Sequence, residues 1–170
     1  MSSILSSSIQ IPKETHLFPA PYSIEGQIGK GSYATVYLGV EAHTKKKFAV
    51  KVYNKESMKG KTRREIICNE IKILRIVHHP HILQLIRVRD SKAEIHIITE
   101  LIEGISLAAF VKEFPQRALP EPLAKQLSLA VLSGLTYLHS LGVYHRDIKL
   151  ENVLLDAAKR PKIIDFGFAV

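Results

Sequence analysis

The stretch His145-Arg146-Asp147-Ile148-Lys149-Leu150-Glu151-Asn152 decides how the rest of the sequence is interpreted. It holds five ionisable side chains and one amide in eight consecutive positions, between a long apolar stretch and the apolar run 153–155. Placing so polar a loop between core elements costs desolvation free energy, so an ordinary surface turn is a poor explanation of it. The stretch therefore predicts a functional loop.

A second polar group follows in Lys162-Ile163-Ile164-Asp165-Phe166-Gly167, where a carboxylate stands at the tip of a predicted buried strand. Asn152 and Asp165 carry hard oxygen ligands of the kind that Mg²⁺ takes, which leaves other coordination positions to phosphate and water. Both residues are therefore candidate metal ligands.

Near the start of the chain, Ile28-Gly29-Lys30-Gly31 places two glycines one residue apart. Glycines let a backbone approach a ligand without Cβ clashes, and its N–H groups can then face phosphate oxygens. The strand-like run 35–38 follows where a dinucleotide-binding fingerprint would need a helix. The motif predicts a hairpin that covers phosphates, and on these residues alone a plain hairpin remains the alternative.

Two charged residues and the apolar periodicity complete the pattern. Lys51 ends the apolar run 48–50, and Glu70 lies nineteen residues later in a stretch of helical periodicity, where a carboxylate could pair with the lysine. Periodicity and turn residues predict strands over 32–40, 47–53, 82–88 and 95–99, and helices over 62–77 and 123–141.

The predicted helix 123–141, with Pro122 in its first turn and Gly142 after its end, is apolar on two sides. One side carries Leu123, Leu127, Val131 and Leu138, and the other carries Leu129, Leu132 and Leu135. A helix that is apolar on most faces is expected to be buried on both sides.

In this order, the motifs resemble the eukaryotic protein kinase family over about 22–170. The resemblance implies an α+β fold. A complete N-terminal lobe, an antiparallel sheet plus one main helix, would span about 19–99, with a hinge at 100–104 and a partial helical C-terminal lobe at 105–170. It also implies ATP-dependent phosphoryl transfer to Ser/Thr hydroxyls of proteins, with ATP and Mg²⁺ as cofactors. The run 165–169 is similar to that of calmodulin-dependent and AMP-activated kinases.

The resemblance also assigns roles to single residues. Asp147 would be the catalytic base, and Lys149 marks specificity for serine and threonine over tyrosine. Lys51 would hold the α- and β-phosphates while paired with Glu70. The implied nucleotide-binding residues are Ile28, Gly29, Lys30, Gly31, Val36, Ala49, Lys51, Glu100, Ile102 and Leu154, and the implied Mg²⁺ ligands are Asn152 and Asp165.

Three further positions are compared with the family pattern. Thr99 resembles the residue that guards the back of the adenine pocket. Ser106 departs from the pattern, because an acidic residue often contacts the ribose there. The histidines within 78–81 match a turn that follows the helix of Glu70, which we favour over a metal site.

Composition restricts the partners and the compartment. The formal net charge is +8, but the basic runs 45–47 and 61–64 are short and lack the interleaved aromatic residues of a nucleic-acid platform. No apolar run is long enough to span a membrane. We therefore expect no nucleic-acid or membrane partner. Cys68 is the only cysteine, which fits a reducing compartment and an intracellular, cytoplasmic location.

The ends of the sequence lead to the last expectations. The first 18 residues are Ser-rich and are expected to be a disordered tail, and the sequence stops three residues after Gly167. We expect a kinase domain that is truncated shortly after the Asp-Phe-Gly motif, a protein substrate, and a partner that covers the exposed side of the helix 123–141. The alternative is a nucleotide-binding pseudo-kinase or interaction module without turnover of its own.

Overall fold

The structure is a computed structural model that describes residues 22–31, 34–56 and 61–170. The predicted tail over 1–18 and the first two residues of the predicted strand 32–40 lie outside the described residues. The other predicted strands and both predicted helices are present, with ends that differ from the predictions by up to three residues.

A five-stranded antiparallel sheet forms the first half of the described chain. In chain order, its strands are β1 (Tyr22–Lys30), β2 (Thr35–Glu41), β3 (Lys47–Asn54), β4 (Leu85–Asp90) and β5 (Glu94–Glu100). Their order in space is β1-β2-β3-β5-β4. The strand predicted over 82–88 begins only at Leu85, because Ile82 forms a single bridge to Ile163 instead of joining the sheet.

The register of the sheet separates its two faces. Val36 lies opposite Lys51, and Ala49 lies opposite Thr99. Because alternate residues of a strand share a face, these four side chains lie on one face. The other face carries a buried apolar cluster that includes Phe48, Val50 and Ile98. The residues with predicted roles therefore lie on the face opposite this cluster.

Helix α1 (Lys61–Ile76) packs beside the face of the sheet that carries Lys51. Ile67, Ile71 and Leu74 follow helical spacing and are nearly fully buried, in one cluster with Tyr53 and Ile97 of the sheet. Burial of this apolar stripe fixes the rotation of α1 about its axis.

The second half of the described chain contains more helix. A short strand β6 (Ile105–Ser106) and helix α2 (Leu107–Val111) precede the long helix α3 (Glu121–Ser140). Strands β7 (Val153–Leu155) and β8 (Pro161–Ile163) then complete a three-stranded sheet in the order β6-β7-β8. The α+β fold class, with a five-stranded antiparallel sheet and helices, is confirmed.

Gly104 lies in the connection between the two halves of the chain, where the backbone passes very close to β7. A Cβ added there would lie 1.7 Å from the carbonyl oxygen of Leu155, so the connection 101–104 can pass over β7 only with glycine at this position. The predicted lobe and hinge boundaries themselves remain a prediction.

Helix α3 buries one of its two apolar sides. Leu127 and Leu138 are buried, whereas Leu129 and Leu132 are 57% and 54% exposed. Leu135, which the sequence grouped with the second side, packs partly against the core. In the described structure one side of α3 therefore faces outward, and it is the side for which a covering partner was expected.

Within the described ranges, no helix is long and apolar enough to cross a membrane.

Candidate functional site

A buried ion pair links the sheet to helix α1. The Nζ atom of Lys51 donates a 2.7 Å hydrogen bond to Oε1 of Glu70, and the hydroxyl of Tyr53 donates a 2.7 Å bond to Oε2 of the same carboxylate. The Glu70 side chain is only 3% exposed. Both carboxylate oxygens therefore have a donor, which is what a buried charge needs to be tolerated.

The local folding of the chain explains this arrangement. Lys51 and Tyr53 are two residues apart in β3 and so point to the same face of the sheet. Glu70 lies between the buried Ile67 and Ile71 on α1, so burial of the apolar stripe turns its carboxylate toward that face. Burial alone would lower the pKa of Lys51, but the charges led by Glu70 outweigh it and hold that pKa above its usual range. The lysine is a permanent cation.

Asp165 joins the same cation from the second half of the chain. Its Oδ1 accepts a 3.1 Å hydrogen bond from Lys51 Nζ, across a sequence separation of 114 residues. Asp165 has a φ of 62°, in the left-handed region that costs a non-glycine residue free energy but that aspartate tolerates better than most. The lysine thus lies between two carboxylates, one buried on α1 and one on the loop after β8.

The loop that follows α3 brings three of the predicted site residues together. Lys149 Nζ donates a 2.7 Å hydrogen bond to Oδ2 of Asp147, and Asn152 Nδ2 donates to the same oxygen at 2.8 Å. The Asn152 amide also donates to the backbone carbonyl of Asp147 at 2.9 Å. The hydrogen bond from Lys149 is the main reason that the pKa of Asp147 is below its usual range. Asp147 is therefore ionised at neutral pH.

His145 fixes this loop relative to Asp165. Its Nε2 lies 2.9 Å from the carbonyl oxygen of Ile164, and its Nδ1 accepts from the backbone N–H of Asp147 at 3.3 Å. These partners assign the neutral tautomer with hydrogen on Nε2. Burial lowers the pKa of His145, which favours the same neutral form. The imidazole thus connects the backbone beside Asp147 to the backbone beside Asp165.

The predicted phosphate lid is a β-hairpin. Gly29 lies opposite Val36, and the N–H of Gly31 donates to the carbonyl of Ala34. Neither glycine has a positive φ, and a Cβ at either position would make only ordinary contacts, at 3.5 and 3.6 Å. The described fold therefore does not require glycine at 29 or 31, which leaves close approach of a ligand as a reason for both. Ile28 and Lys30 are exposed along the same strand.

The predicted adenine-binding residues lie at the junction of the two halves. Ala49 is in the middle of β3, Glu100 ends β5, and Ile102 follows in the connection. Leu154 lies in β7, opposite Ser106. The Glu100 carboxylate accepts hydrogen bonds from the Gln84 N–H at 2.9 Å and from Lys162 Nζ at 2.7 Å, so its side chain is committed to these contacts. Its backbone N–H donates to the Gln84 carbonyl at 3.0 Å, and its carbonyl accepts from Thr99 Oγ1 at 3.3 Å.

The donor set near Asp165 fits Mg²⁺ held partly by phosphate. It offers the Asp165 carboxylate and the Asn152 amide, whose oxygen is left available because the Asn152 Nδ2 is committed to Asp147. One or two protein oxygens supplemented by phosphate oxygens is the usual way in which Mg²⁺ is bound beside nucleotides. In the part of the chain that the structure describes, no group of three or more His, Cys, Asp or Glu side chains is placed to hold a metal ion.

Sequence reasoning missed several contacts around the site. Tyr53 was not recognised, although its position two residues after Lys51 on the same strand face is a signal that could have found it. Asn69 and Lys162 depend on long-range contacts and gave no local signal. Ser106, compared above with a ribose-contacting position, caps helix α2 by accepting a hydrogen bond from the N–H of Ala109.

Comparisons with known proteins agree with these motifs. The family model described as "Protein kinase domain" matches residues 22–170. The CBL-interacting serine/threonine-protein kinase 13 of Arabidopsis thaliana is 39% identical over 149 residues, which are 88% of this chain and 29% of that protein.

Two animal proteins are similar to this chain to a comparable degree. The testis-specific serine/threonine-protein kinase 4 of Homo sapiens is 34% identical over 148 residues, covering 87% of this chain and 44% of that protein. The serine/threonine-protein kinase SIK2 of Gallus gallus is 34% identical over 170 residues, covering 97% of this chain and 21% of that protein. The chain thus spans less than half the length of these relatives. Because the family match extends over all of the described residues, this chain belongs to the protein kinase family.

Proposed function

We propose that this chain binds ATP with Mg²⁺ and transfers the γ-phosphoryl group to Ser/Thr hydroxyls of a protein substrate. The observation that carries the proposal is that Lys51 donates hydrogen bonds to both Glu70 and Asp165, beside a loop that presents an ionised Asp147. Phosphoryl transfer requires mainly positioning and charge stabilisation, and these residues supply both.

On the nucleotide side, Lys51 supplies the cation for the α- and β-phosphates. Glu70 and Tyr53 hold its ammonium group in place, so little reorganisation is needed when a phosphate arrives. Gly29 and Gly31 let the hairpin backbone come close to the phosphates, while Val36, Ala49 and Leu154 supply apolar surface for the adenine. Ile28 and Lys30 flank the lid, and the backbone of Glu100 and Ile102 offers hydrogen bonds to the base.

On the acceptor side, Asp147 orients the substrate hydroxyl and accepts its proton. The hydroxyl oxygen forms a bond to the γ-phosphorus, the bond from that phosphorus to the β-phosphate oxygen breaks, and ADP leaves. A carboxylate with a lowered pKa is a weak base, so orientation is its main contribution. Lys149 donates to Asp147. In this proposal its ammonium group also neutralises charge that develops on the transferred group.

Asn152 and Asp165 would hold Mg²⁺, which supplies charge neutralisation between the phosphate oxygens when bound. The protein's own part is to keep these two ligands in register. The His145 imidazole does this through the backbone of Ile164, and the N–H of Ile164 donates to the Asn152 carbonyl at 2.9 Å.

The proposal also covers the partner of the protein and its location in the cell. The relatives are named as protein kinases, so a protein substrate is the natural acceptor for this chain too. We propose that a protein segment covers the exposed side of α3 at Leu129 and Leu132, because adjacent exposed leucines favour association. The proposed location is the cytoplasm, where ATP and reduced thiols such as Cys68 coexist.

The test is thermal unfolding of the 170-residue chain with and without Mg²⁺–ATP. A ligand at about 100 times its Kd stabilises the protein by about 2.7 kcal/mol, so the unfolding temperature should rise. The rise should be smaller in Lys51→Ala and unchanged in Lys125→Ala, which removes an exposed lysine of α3. A chain that unfolds cooperatively but shows no shift with Mg²⁺–ATP would contradict the proposal. Binding without phosphorylation of a Ser-containing peptide would leave the non-catalytic alternative.

A further inference from the structure

The segment after Gly167 is held by hydrogen bonds from both halves of the chain. From the second half, Tyr144 exchanges two backbone hydrogen bonds with Val170, and Arg146 Nε donates to the carbonyl of Phe168 at 2.6 Å. From the first half, the side-chain amide of Asn69 donates to the carbonyl of Ala169 at 2.7 Å, across 100 residues of sequence. Asn69 therefore bonds helix α1 to this segment.

Asn69 and Glu70 give α1 two anchors at neighbouring positions. Successive residues of a helix point in different directions, so one side chain can reach the sheet while the next reaches the second half of the chain. Glu70 holds Lys51, and Asn69 holds a backbone carbonyl four residues after Asp165. Because Lys51 also bonds to Asp165, the contacts close a loop that runs from α1 to the sheet, on to Asp165 and back to α1.

The hydrogen bond from Asn69 is made to a buried residue, which increases its expected contribution to stability. Ala169 is 3% exposed and belongs to the same core cluster as Ile67, Ile71 and Phe166. Removing the donor would leave a buried carbonyl without a hydrogen bond. This costs more free energy than losing a hydrogen bond that is exposed to water. A neutral amide also holds the segment without adding a charge next to the Lys51–Glu70 pair.

We propose that Asn69 is a positioning residue for the magnesium–nucleotide site, which keeps α1 and the Asp165 loop in register so that Glu70, Lys51 and Asp165 act together. The inference rests on the proposed function, since it assigns a role within the same site. Asn69 acts through Glu70 and Asp165 and contacts neither nucleotide nor metal. Its loss should therefore reduce the part of the nucleotide affinity that depends on Mg²⁺ more than the part that does not.

The experiment measures binding of a non-hydrolysable ATP analogue to the 170-residue chain by calorimetry, with Mg²⁺ and with a chelator. In Asn69→Ala, the gain in affinity that Mg²⁺ provides should fall by about three- to tenfold, the range expected for one buried hydrogen bond. Affinity in the chelator should change by less than about twofold. Gln126→Ala, which shortens an exposed amide on α3, should leave both values unchanged.

Two further variants separate the hydrogen bond from packing and from independent effects. Asn69→Leu keeps the branched outline of the side chain, leaves no cavity and removes the donor, so it should match Asn69→Ala. An effect in Asn69→Ala alone would overturn the inference in favour of a cavity. In a Glu70→Gln background, Asn69→Ala should have a clearly smaller effect, because residues that act through one another are not additive. Full additivity would overturn the coupling.

The outcomes also separate this inference from the proposed function. If the unsubstituted chain gains no affinity from Mg²⁺, the proposed function fails and the role of Asn69 fails with it. If the unsubstituted chain does gain affinity, and Asn69→Ala lowers the unfolding temperature but keeps the full gain, then Asn69 is only structural. That result would overturn the inference and leave the proposed function intact.

Discussion

The two halves of the candidate site hold their charges in opposite ways. In the first half, Glu70 is buried and both of its oxygens are bonded to Lys51 and Tyr53. In the second half, the Lys149 side chain that bonds to Asp147 is 49% exposed. One half is therefore an element of the core that also carries charge, and the other is a loop open to an incoming substrate.

The difference shows what each half can contribute. A buried charge network is preorganised, but removing one member leaves an uncompensated charge in the core. An exposed pair contributes little to folding, because solvent screens it. Substitutions in the first half should therefore change stability strongly, while those in the second half should change chemistry and leave stability nearly unaltered.

The largest expected effect is that of Glu70→Ala. It leaves the partly buried ammonium of Lys51 with Asp165 as its remaining carboxylate and removes the acceptor of Tyr53. Loss of one partner of a buried pair costs about 3–5 kcal/mol, and the second carboxylate should reduce this to about 2–3 kcal/mol. Urea unfolding measures the change.

The matched control is Glu103→Ala, which removes an exposed partner of Lys47 at 3.9 Å. It should change the free energy of unfolding by less than about 0.5 kcal/mol. Equal losses in the two variants would mean that Glu70 does not act as a buried anchor.

Tyr53→Phe should have the next largest effect. It removes the hydroxyl that donates to Glu70 and keeps the aromatic ring in the core cluster. A hydrogen bond to a buried carboxylate contributes about 1.5 kcal/mol or more, so urea unfolding should show a loss of this size. Tyr37→Phe serves as the control, because Tyr37 lies opposite Val50 on the other face of the sheet. A loss below about 0.5 kcal/mol in Tyr53→Phe would show that Glu70 does not depend on the hydroxyl.

A smaller effect is expected from acidification, through His145. Burial lowers its pKa in the folded protein, so below about pH 6.5 the unfolded chain binds a proton that the folded protein does not. Stability should therefore fall as pH decreases below that value, by no more than about 1.4 kcal/mol per pH unit, and should not depend on this group above it.

The pH dependence should weaken in His145→Gln. His79, whose pKa is also lowered by burial, contributes in the same direction, so His79→Gln is the comparison that separates the two imidazoles. A pH profile in His145→Gln identical to that of the unsubstituted chain would assign the acid sensitivity to other groups.

The sequence was sufficient where local pattern and chemistry coincide. The spacing of Ile67, Ile71 and Leu74 predicted α1, and the alternation around Lys51 predicted β3, because burial of one face determines each element. Lys51 and Glu70 were expected to pair, and the structure brings their side chains together. These predictions needed only periodicity and complementary charge.

The sequence was insufficient where contacts join distant residues or depend on what covers a face. Periodicity describes an apolar face but not its neighbour, so the apolar pattern of α3 alone does not show what packs against Leu129 and Leu132. The Glu100–Lys162 contact spans 62 residues, and neither residue carries a local signal for it. The left-handed backbone at Asp165 could not be predicted either, because aspartate tolerates that conformation but usually adopts others.

The smallest effect on stability is expected for Lys149→Ala, and it tests the second half of the comparison most directly. The variant removes the main cause of the lowered pKa of Asp147, so that pKa should rise toward the ordinary value of about 3.9 in a carbon-detected NMR titration. Asn152 still donates to Asp147, so the carboxylate should keep its position. The urea midpoint should stay within error of that of Lys125→Ala, since both lysines are solvent-exposed. An unfolding midpoint that drops as far as that of Glu70→Ala would show that the loop of Asp147 and Lys149 is as much a part of the core as α1, and the distinction between the two halves would not hold.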